Sequence, residues 1–310
     1  MYDSPMQHTR KRTCGMNAIE ERIKNALLRE VYITPKPGLV DLNDCGAHTD
    51  MDVHTFECSA EDITPFLLRM YEEGLSFSMV GGPGSSAAEG SSSFSNLFLR
   101  VREIGKEAER AMFAATKNVN THKGIIFSMG LLLTAMGVDA AGSGERADLP
   151  YEDRICFLAA DIASSVLKEE LSELRLADAC SNKKPSHGER VFATYGIDGV
   201  RGEAISGFPC LREVALPRYR STRESNLSEN DRALDTLLSI MSKLSDTNLL
   251  SRGGIDALNF VQSRAAGIIN SFEPGSSAWR HEIEIFNAEC IEKNISPGGA
   301  ADILALTLLW

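Results

Sequence analysis

Residues 121–136 read THKGIIFSMGLLLTAM, and from Ile125 onward the stretch is almost wholly apolar. A helix that is apolar on every side belongs either in the core of a large protein or in a membrane. The apolar run ends at Val138 and is interrupted by Ser128 and Thr134. It therefore falls short of the roughly 18 residues that a membrane span requires. The stretch predicts a helix at the centre of a folded core.

On both sides of this stretch, apolar residues recur every three or four positions, which is the spacing of amphipathic helices. The chain shows no alternation typical of β-strands and no internal repeat. About ten helices joined by glycine- and proline-rich loops predict an all-α fold, with the active site built from the loops between helices. We predict a flexible N-terminal tail over residues 1–16 and a single globular domain over residues 17–310. Thr64-Pro65 is a candidate fresh helix start, with Thr as the N-cap.

The 310-residue chain carries a net charge of −11. An acidic chain argues against nucleic-acid binding through a broad basic face. Any polyanionic ligand must then be held by a few local cations or by metal. Residues 1–16 lack the apolar segment of a secretory signal. Seven cysteines without a CxxC pair indicate reduced thiols. We therefore expect a cytoplasmic protein that binds neither nucleic acid nor membrane.

The loop at residues 34–52, TPKPGLVDLNDCGAHTDMD, is dense in groups that do chemistry. Its two prolines restrict the backbone, so the loop is expected to be stiff and extended. It carries Lys36, His48 and four aspartates (Asp41, Asp44, Asp50 and Asp52). A rigid loop with carboxylates, an imidazole and an ammonium suits a metal-bound phosphate ligand. An ordinary solvated turn is the alternative.

Two helix N-termini are candidate anion sites, because free NH groups and the helix dipole favour negative charge there. Thr121-His122-Lys123-Gly124 precedes the core helix, and Arg252-Gly253-Gly254 precedes a later one. Capping and surface roles are the alternative for His122 and Lys123. The Gly/Ser-rich segment 81–93 is either a flexible linker or a further phosphate loop, although it lacks the spacing of a Walker loop.

A further glycine-rich segment covers residues 195–210, and its four glycines are expected to break any regular element. Arg201 and Glu203 lie among these glycines. Charged residues held in such a segment are more typical of a binding site than of a helix surface. Both are therefore candidate site residues.

Six segments follow one another in an order that resembles a known enzyme family. They are TPKPGLVD (34–41), GAH-x-DMD (46–52), THKG (121–124), YGI-x-GVRGEA-x-SGFP (195–209), DTNLL-x-RGG (246–254) and SPGGAAD (296–302). Together they resemble the triphosphoribosyl-dephospho-coenzyme-A synthase family, over nearly the whole chain. That family makes the precursor of the prosthetic group of citrate lyase, and a close branch serves malonate decarboxylase.

Two positions depart from the pattern of this family. Ser251 stands where the family pattern has histidine, which argues against a catalytic histidine there. Leu244-Ser245 replaces a second acidic residue before Asp246. The loss of that carboxylate weakens a two-metal site more than a one-metal site.

The resemblance implies that ATP and 3′-dephospho-CoA are the substrates. The 2′-hydroxyl of dephospho-CoA attacks C1 of the ATP ribose and the triphosphate stays attached, giving 2′-(5″-triphosphoribosyl)-3′-dephospho-CoA and free adenine. Such pentosyl transfer passes through an oxocarbenium-like transition state, as in glycoside chemistry. It needs a carboxylate for the cation or for the hydroxyl proton, and a donor for adenine. Mg²⁺ and basic groups would hold the triphosphate.

These requirements give each candidate a hypothetical role. Asp50, Asp52 and Asp246 would coordinate Mg²⁺. Glu203 would accept the hydroxyl proton, with Asp246 and His48 as further catalytic residues. The phosphate contacts would be Lys36, His122, Lys123, Arg201, Asn248, Arg252, Gly253 and Gly254. Helix capping is the alternative for the aspartates, and it is the expected role of Asp302. His48 is either a ligand contact or a brace within the loop.

Two other functions stay open at this stage. If water reached the same ribose carbon, the site would be a metal-dependent N-glycosyl hydrolase that acts on a nucleotide. A non-catalytic nucleotide-binding protein is the other alternative. The product of the synthase could also be handed to the transferase that loads the acyl carrier subunit.

Overall fold

The computed structural model describes residues 5–77, 93–142, 146, 148–176 and 187–310, with their side chains except at residues 5–14, 174–176 and 187–189. These residues form twelve α-helices, one π-helical turn at Cys210–Ala215 and no strand, which confirms the all-α class. The helices are α1 (Pro5–Tyr32), α2 (Val53–Leu75), α3 (Phe94–Ala115), α4 (Lys123–Ala140), α5 (Tyr151–Leu176), α6 (His187–Tyr195), α7 (Gly199–Ile205), α8 (Leu216–Ser221), α9 (Glu229–Met241), α10 (Thr247–Ser271), α11 (Ser277–Glu292) and α12 (Gly298–Leu308).

The predicted core helix is α4, which packs against α2, α3, α5 and α12. All of its residues from Ile125 to Val138 except Phe127 are buried. By length and composition α4 could cross a membrane, but 72% of it is buried inside the protein. Its position in the core accounts for its apolar character. One continuous core of buried apolar side chains extends from α1 to α12.

Glycines allow α2 and α4 to approach each other closely. A Cβ atom at Gly74 would lie 2.0 Å from the carbonyl oxygen of Thr134, and one at Gly137 would lie 2.2 Å from that of Tyr71. Because backbone meets backbone at these points, neither position can accept a side chain without separating the helices.

Two helices extend beyond the boundaries that the sequence predicts. α1 begins at Pro5, so residues 5–16 are helical where a tail is predicted. α2 runs through Pro65 without a fresh start. Ile63 and Leu67, on either side of this proline, are fully buried. Their packing outweighs the backbone hydrogen bond that proline removes.

A short helix, α7, forms inside the glycine-rich segment that is predicted to lack regular structure. Its Ala204 is buried, and the helix packs against α5. A Cβ atom at Gly202 would lie 2.6 Å from the Cβ of Asp198. This glycine therefore serves close packing within a helix rather than breaking one.

Other helix ends lie where the sequence places them. The hydroxyl of Ser228 accepts a hydrogen bond from the amide of Asp231 at 3.1 Å and caps α9. α10 has a break at Gly254, whose φ of 67° and ψ of −159° are not helical. This is the predicted break after Arg252. The segment 81–93 falls outside the described residues except for Ser93, which caps α3.

Candidate active site

Segment 296–302, at the start of α12, is where the six sequence segments meet. A Cβ atom at Gly38 would lie 3.4 Å from Cδ of Pro297. Nε2 of His48 lies 2.9 Å from the hydroxyl of Ser296. Both halves of the loop at residues 34–52 therefore pack against residues 296–302.

The starts of α10 and α4 reach the same segment. A Cβ atom at Gly299 would lie 2.9 Å from Oδ1 of Asp246, and one at Gly124 would lie 1.9 Å from Oδ2 of Asp302. The N-termini of three helices, α4, α10 and α12, therefore lie close together around two carboxylates.

The glycine-rich segment 195–209 joins this group through α10. A Cβ atom at Gly199 would lie 2.8 Å from Cγ2 of Thr247, and one at Gly254 would lie 3.1 Å from the hydroxyl of Tyr195. All six segments thus form one neighbourhood, although they are spread over most of the chain.

His48 and Arg252 form a polar cluster at the edge of this neighbourhood. The guanidinium of Arg252 donates to the carbonyl of Ala47 at 3.0 Å and lies 3.1 Å from Nδ1 of His48. Burial and the charge of Arg252 lower the pKa of His48, so its ring is neutral at pH 7. A ring that accepts from Arg252 at Nδ1 donates to Ser296 through Nε2. These bonds make His48 a brace between loops in this structure.

Asp246 is buried at the N-cap of α10. Its Oδ1 accepts from the amide of Asn248 at 2.8 Å, and its Oδ2 accepts from the amide of Ala300 at 3.0 Å. Burial raises the pKa of Asp246 to about 6, although these amides act in the opposite direction. Asp246 therefore caps α10, which is the alternative role given above for the aspartates. The predicted catalytic and metal roles would have to use oxygens that are already bonded to amides.

Lys36 lies inside the protein instead of presenting its ammonium to a ligand. Its side chain is 1% exposed, and Nζ donates to Oε1 of Glu30 at 2.5 Å and to the carbonyl of Glu30 at 2.7 Å. Burial raises the pKa of Glu30 in spite of this partner. As the structure stands, Lys36 is a buried structural cation, and a phosphate contact would require it to leave Glu30.

His122 is also buried, and its Nδ1 lies 2.6 Å from the hydroxyl of Ser59. Burial, together with the charge of Lys36, lowers the pKa of His122 to about 3, so the ring is neutral. It can donate a hydrogen bond to a ligand but cannot supply positive charge. Lys123 lies at the surface, where its ammonium pairs with Glu109 of α3 at 2.9 Å.

The remaining predicted phosphate contacts lie at the surface of the neighbourhood. Within the described part of the chain, the partly buried guanidinium of Arg201 has neither an ion pair nor a hydrogen bond. The side chain of Asn248 is exposed beside Gly298, where a Cβ atom would lie 2.8 Å from its Nδ2. Gly253 and Gly254, at the break in α10, are also accessible.

Glu203 lies in α7 and is partly buried. Its Oε2 accepts from the amide of Cys210 at 3.1 Å, which ties α7 to the π-helical turn. Burial raises the pKa of Glu203. The charges of Glu203 and Asp246 add to burial in raising the pKa of the Cys210 thiol. The two predicted catalytic carboxylates therefore both lie near Cys210.

Asp50, Asp52 and Asp246 do not form a metal centre by themselves. Across the described residues, no three His, Cys, Asp or Glu side chains are grouped so as to hold a metal ion. Asp52 caps α2, with Oδ1 accepting from the amide of Thr55 at 2.8 Å. Asp50 is 60% exposed. Magnesium on a nucleotide keeps phosphate oxygens and needs only one or two carboxylates. Among the three aspartates, Asp50 fits that requirement.

Asp302 is not the helix cap that the sequence predicts. The N-cap of α12 is Pro297, which makes no side-chain capping bond, and Asp302 lies one turn further on with its carboxylate against Gly124. Burial, followed by the charges of Asp246 and Glu30, raises the pKa of Asp302 well above its usual range. Its place in the SPGGAAD segment is the only sequence signal for it.

The comparisons with known proteins show the family to which the chain belongs. A family model described as ATP:dephospho-CoA triphosphoribosyl transferase matches residues 16–310. A probable 2-(5″-triphosphoribosyl)-3′-dephosphocoenzyme-A synthase of Streptococcus mutans is 36% identical over 92% of this chain and 92% of its own length. The synthase of that name from Klebsiella pneumoniae is 34% identical over 98% of this chain and 93% of its own. That from Escherichia fergusonii is 37% identical over 93% and 88%. No solved structure matches the chain significantly.

Proposed function

Since the chain belongs to the ATP:dephospho-CoA triphosphoribosyl transferase family, we propose that it joins the triphosphoribosyl group of ATP to the 2′-hydroxyl of 3′-dephospho-CoA and releases adenine. The product would be 2′-(5″-triphosphoribosyl)-3′-dephospho-CoA. One observation supports the proposal beyond family membership: four of the segments that resemble the family contact residues 296–302, and segment 195–209 joins them through α10.

The convergence suits a triphosphate in an acidic protein. The N-termini of α4, α10 and α12 lie together, and their positive dipole ends favour an anion, although Asp246 already accepts the amides of Asn248 and Ala300. Arg201 and Arg252 add cations at the rim. Asn248, Gly253 and Gly254 add uncharged donors. Lys36 and His122 lie inside the protein, where Lys36 is paired with Glu30 and His122 is neutral.

The reaction makes separate demands at the ribose. The bond from C1 to adenine breaks as the bond to the acceptor oxygen forms, so positive charge develops at C1. The buried carboxylate of Asp246 is placed to oppose that charge electrostatically without leaving its amide bonds. The hydroxyl proton has to pass to a carboxylate, for which Glu203 is the candidate from the sequence. Mg²⁺, held by Asp50 and phosphate oxygens, would neutralise charge on the triphosphate.

Incubation of the purified chain with ATP and dephospho-CoA, followed by mass measurement of the product, tests the proposal. We expect one triphosphoribosyl adduct and one adenine per turnover. Adenine release at the same rate without dephospho-CoA would instead identify an N-glycosyl hydrolase. Binding of ATP with no adenine release would identify a nucleotide-binding protein.

Two variants test the site independently of the product. Glu203→Gln and Asp246→Asn keep the shape of each side chain and remove its charge. We expect adenine release to fall in both while the fold is kept, and wild-type turnover in both would contradict a site at this place. Asp161→Asn is a matched control, because Asp161 is an exposed aspartate of α5 paired with Arg146.

We further propose that the product supplies the acyl-carrier prosthetic group of citrate lyase in the cytoplasm, with hand-over to the transferase that loads the carrier. A carrier-loading assay with that transferase tests it. Loading of the malonate decarboxylase carrier, with no loading of the citrate lyase carrier, would point to the other branch.

A further inference from the structure

The two aspartates at the meeting point of the helices differ in their bonds. Both oxygens of Asp246 accept backbone amides. The carboxylate of Asp302, in contrast, has no hydrogen bond or ion pair with any of the described residues. It rests against Gly124, where even a methyl group would overlap it. Because Asp302 is only partly buried, its carboxylate is open to a hydrogen bond from a ligand.

His122, at the start of α4, has a second group without a hydrogen-bond partner. The hydroxyl of Thr121 donates to Ser59 at 2.7 Å. With that bond, the hydroxyl proton of Ser59 is free to donate to Nδ1 of His122 at 2.6 Å. The neutral ring then carries its proton on Nε2, which is buried and has no acceptor among the described residues. A buried donor without an acceptor indicates a missing ligand oxygen or nitrogen.

Both groups lie near the start of α4. His122 begins α4 two positions before Gly124, the residue that touches Asp302. The charge of Lys36 acts on His122, and Lys36 is bonded to Glu30, whose charge acts on Asp302. A carboxylate that needs a donor and an imidazole that needs an acceptor together match an alcohol, which offers one of each.

We propose that Asp302, and not Glu203, accepts the proton of the attacking 2′-hydroxyl, while Nε2–H of His122 donates to an oxygen of the same substrate. The inference rests on the proposed function. In the step, the oxygen of the 2′-hydroxyl bonds to C1 of the ATP ribose and its proton passes to Asp302. The bond from C1 to adenine breaks with its electron pair on adenine, which takes a proton from solvent.

The surroundings favour Asp302 as a base near neutral pH. Asp246 faces it from the start of α10, Glu30 faces it from the end of α1, and the neutral His122 lies at the start of α4. Two acidic neighbours and burial make its proton affinity higher than that of an ordinary aspartate. Glu203 already uses one oxygen to hold the Cys210 amide, a bond that glutamine can also make.

The test compares Asp302→Asn, Glu203→Gln and the control Asp161→Asn in the full-length chain, with ATP, dephospho-CoA and Mg²⁺. General-base loss predicts that kcat of Asp302→Asn falls about 100-fold or more, with KM for ATP little changed. The acid limb of the pH–rate profile should disappear. Glu203→Gln should lose less activity than Asp302→Asn. Formate should restore part of the activity of Asp302→Ala.

Stability separates this role from a structural one. Asparagine removes a partly buried charge that has no partner among the described residues, so the Tm of Asp302→Asn should equal or exceed that of the wild type. A lower Tm with proportionate loss of activity would overturn the inference, and so would a rate within threefold of wild type. Formation of the adduct by the wild-type enzyme tests the proposed function separately. If the wild type forms the adduct but the Asp302 variants do not behave as expected, only the assignment of the general base fails.

Discussion

Replacement of Lys36 by methionine tests whether this lysine is structural or binds phosphate. Methionine keeps a long unbranched side chain and removes the ammonium. The side chains of Lys36 and Glu30 are 1% and 3% exposed, so the variant leaves a carboxylate inside the protein without its cation. Loss of one partner of a buried pair is costly because the other charge remains.

The size of the effect follows from the chemistry of Glu30. Without its cation, the carboxyl group of Glu30 can avoid the cost of a buried charge by binding a proton. From its ordinary pKa of 4.5, protonation at pH 7 costs about 3.4 kcal/mol, at about 1.36 kcal/mol per pH unit. The carbonyl of Glu30 also loses its donor, which adds about 1 kcal/mol. We therefore expect Lys36→Met to lower the free energy of unfolding by about 4 kcal/mol at pH 7.

The loss of stability in Lys36→Met should increase with pH. In the variant, the folded pKa of Glu30 lies above its unfolded value, so the folded state binds more protons. The penalty is absent below pH 4.5 and grows as the pH rises. At pH 5 the protonation part should shrink to about 0.7 kcal/mol. Urea denaturation of wild type and variant at both pH values measures the difference.

The double variant Glu30→Gln with Lys36→Met separates the pair from its surroundings. Removal of both charges should recover most of the lost stability, because neither partner is left uncompensated. Lys123→Met is the control for an exposed ion pair and should change stability by less than about 1 kcal/mol. An unchanged stability in Lys36→Met, together with a large rise in KM for ATP, would refute the buried pair and restore Lys36 as a phosphate ligand.

Three further predictions concern the site. Gly124→Ala should lower kcat about 100-fold, because the new methyl group displaces Asp302; steady-state rates and a thermal melt check it. Asp246→Asn should destabilise the fold near pH 4, because Nδ2 of asparagine cannot accept the amide that one oxygen of Asp246 accepts; above pH 6, where ionisation of the buried wild-type carboxyl costs up to about 3 kcal/mol, denaturation curves should show a smaller loss. EDTA should abolish adenine release and Mg²⁺ should restore it, and full activity in EDTA would exclude the metal role.

The long helices could be predicted because they carry local signals. The apolar residues of α4 require burial wherever the chain places them, and Ser228 caps α9 with a bond to a residue three positions away. Pro65 could not be placed correctly, because its cost is local while the packing that offsets it comes from the rest of the core. α7 was missed for the same reason.

The sequence predicts which segments form the site, but not which hydrogen bonds and ion pairs their side chains make. Charge and position in a loop identified Lys36 and His122, yet neither feature reveals burial. Lys36 is neutralised by Glu30 at the end of the preceding helix, and His122 is made neutral by the core around it. Side chains that meet only after folding determine which charges reach a ligand. Resemblance between segments cannot supply that information.

The pair of aspartates shows how folding assigns chemistry. Asp246 and Asp302 both lie in segments that resemble the family, and the resemblance implies catalysis for Asp246 while capping is the expected role of Asp302. In the structure Asp246 caps a helix with both oxygens bonded to amides, whereas the carboxylate of Asp302 has no bond to the described residues. A carboxylate bonded to amides is stabilised as an anion and is a weaker base. An anion without donors, held beside another carboxylate, is the stronger base. The carboxylates of Asp246 and Asp302 can thus act on one substrate. The charge of Asp246 would oppose the charge of the ribose cation, and Asp302 would accept the proton of the attacking hydroxyl.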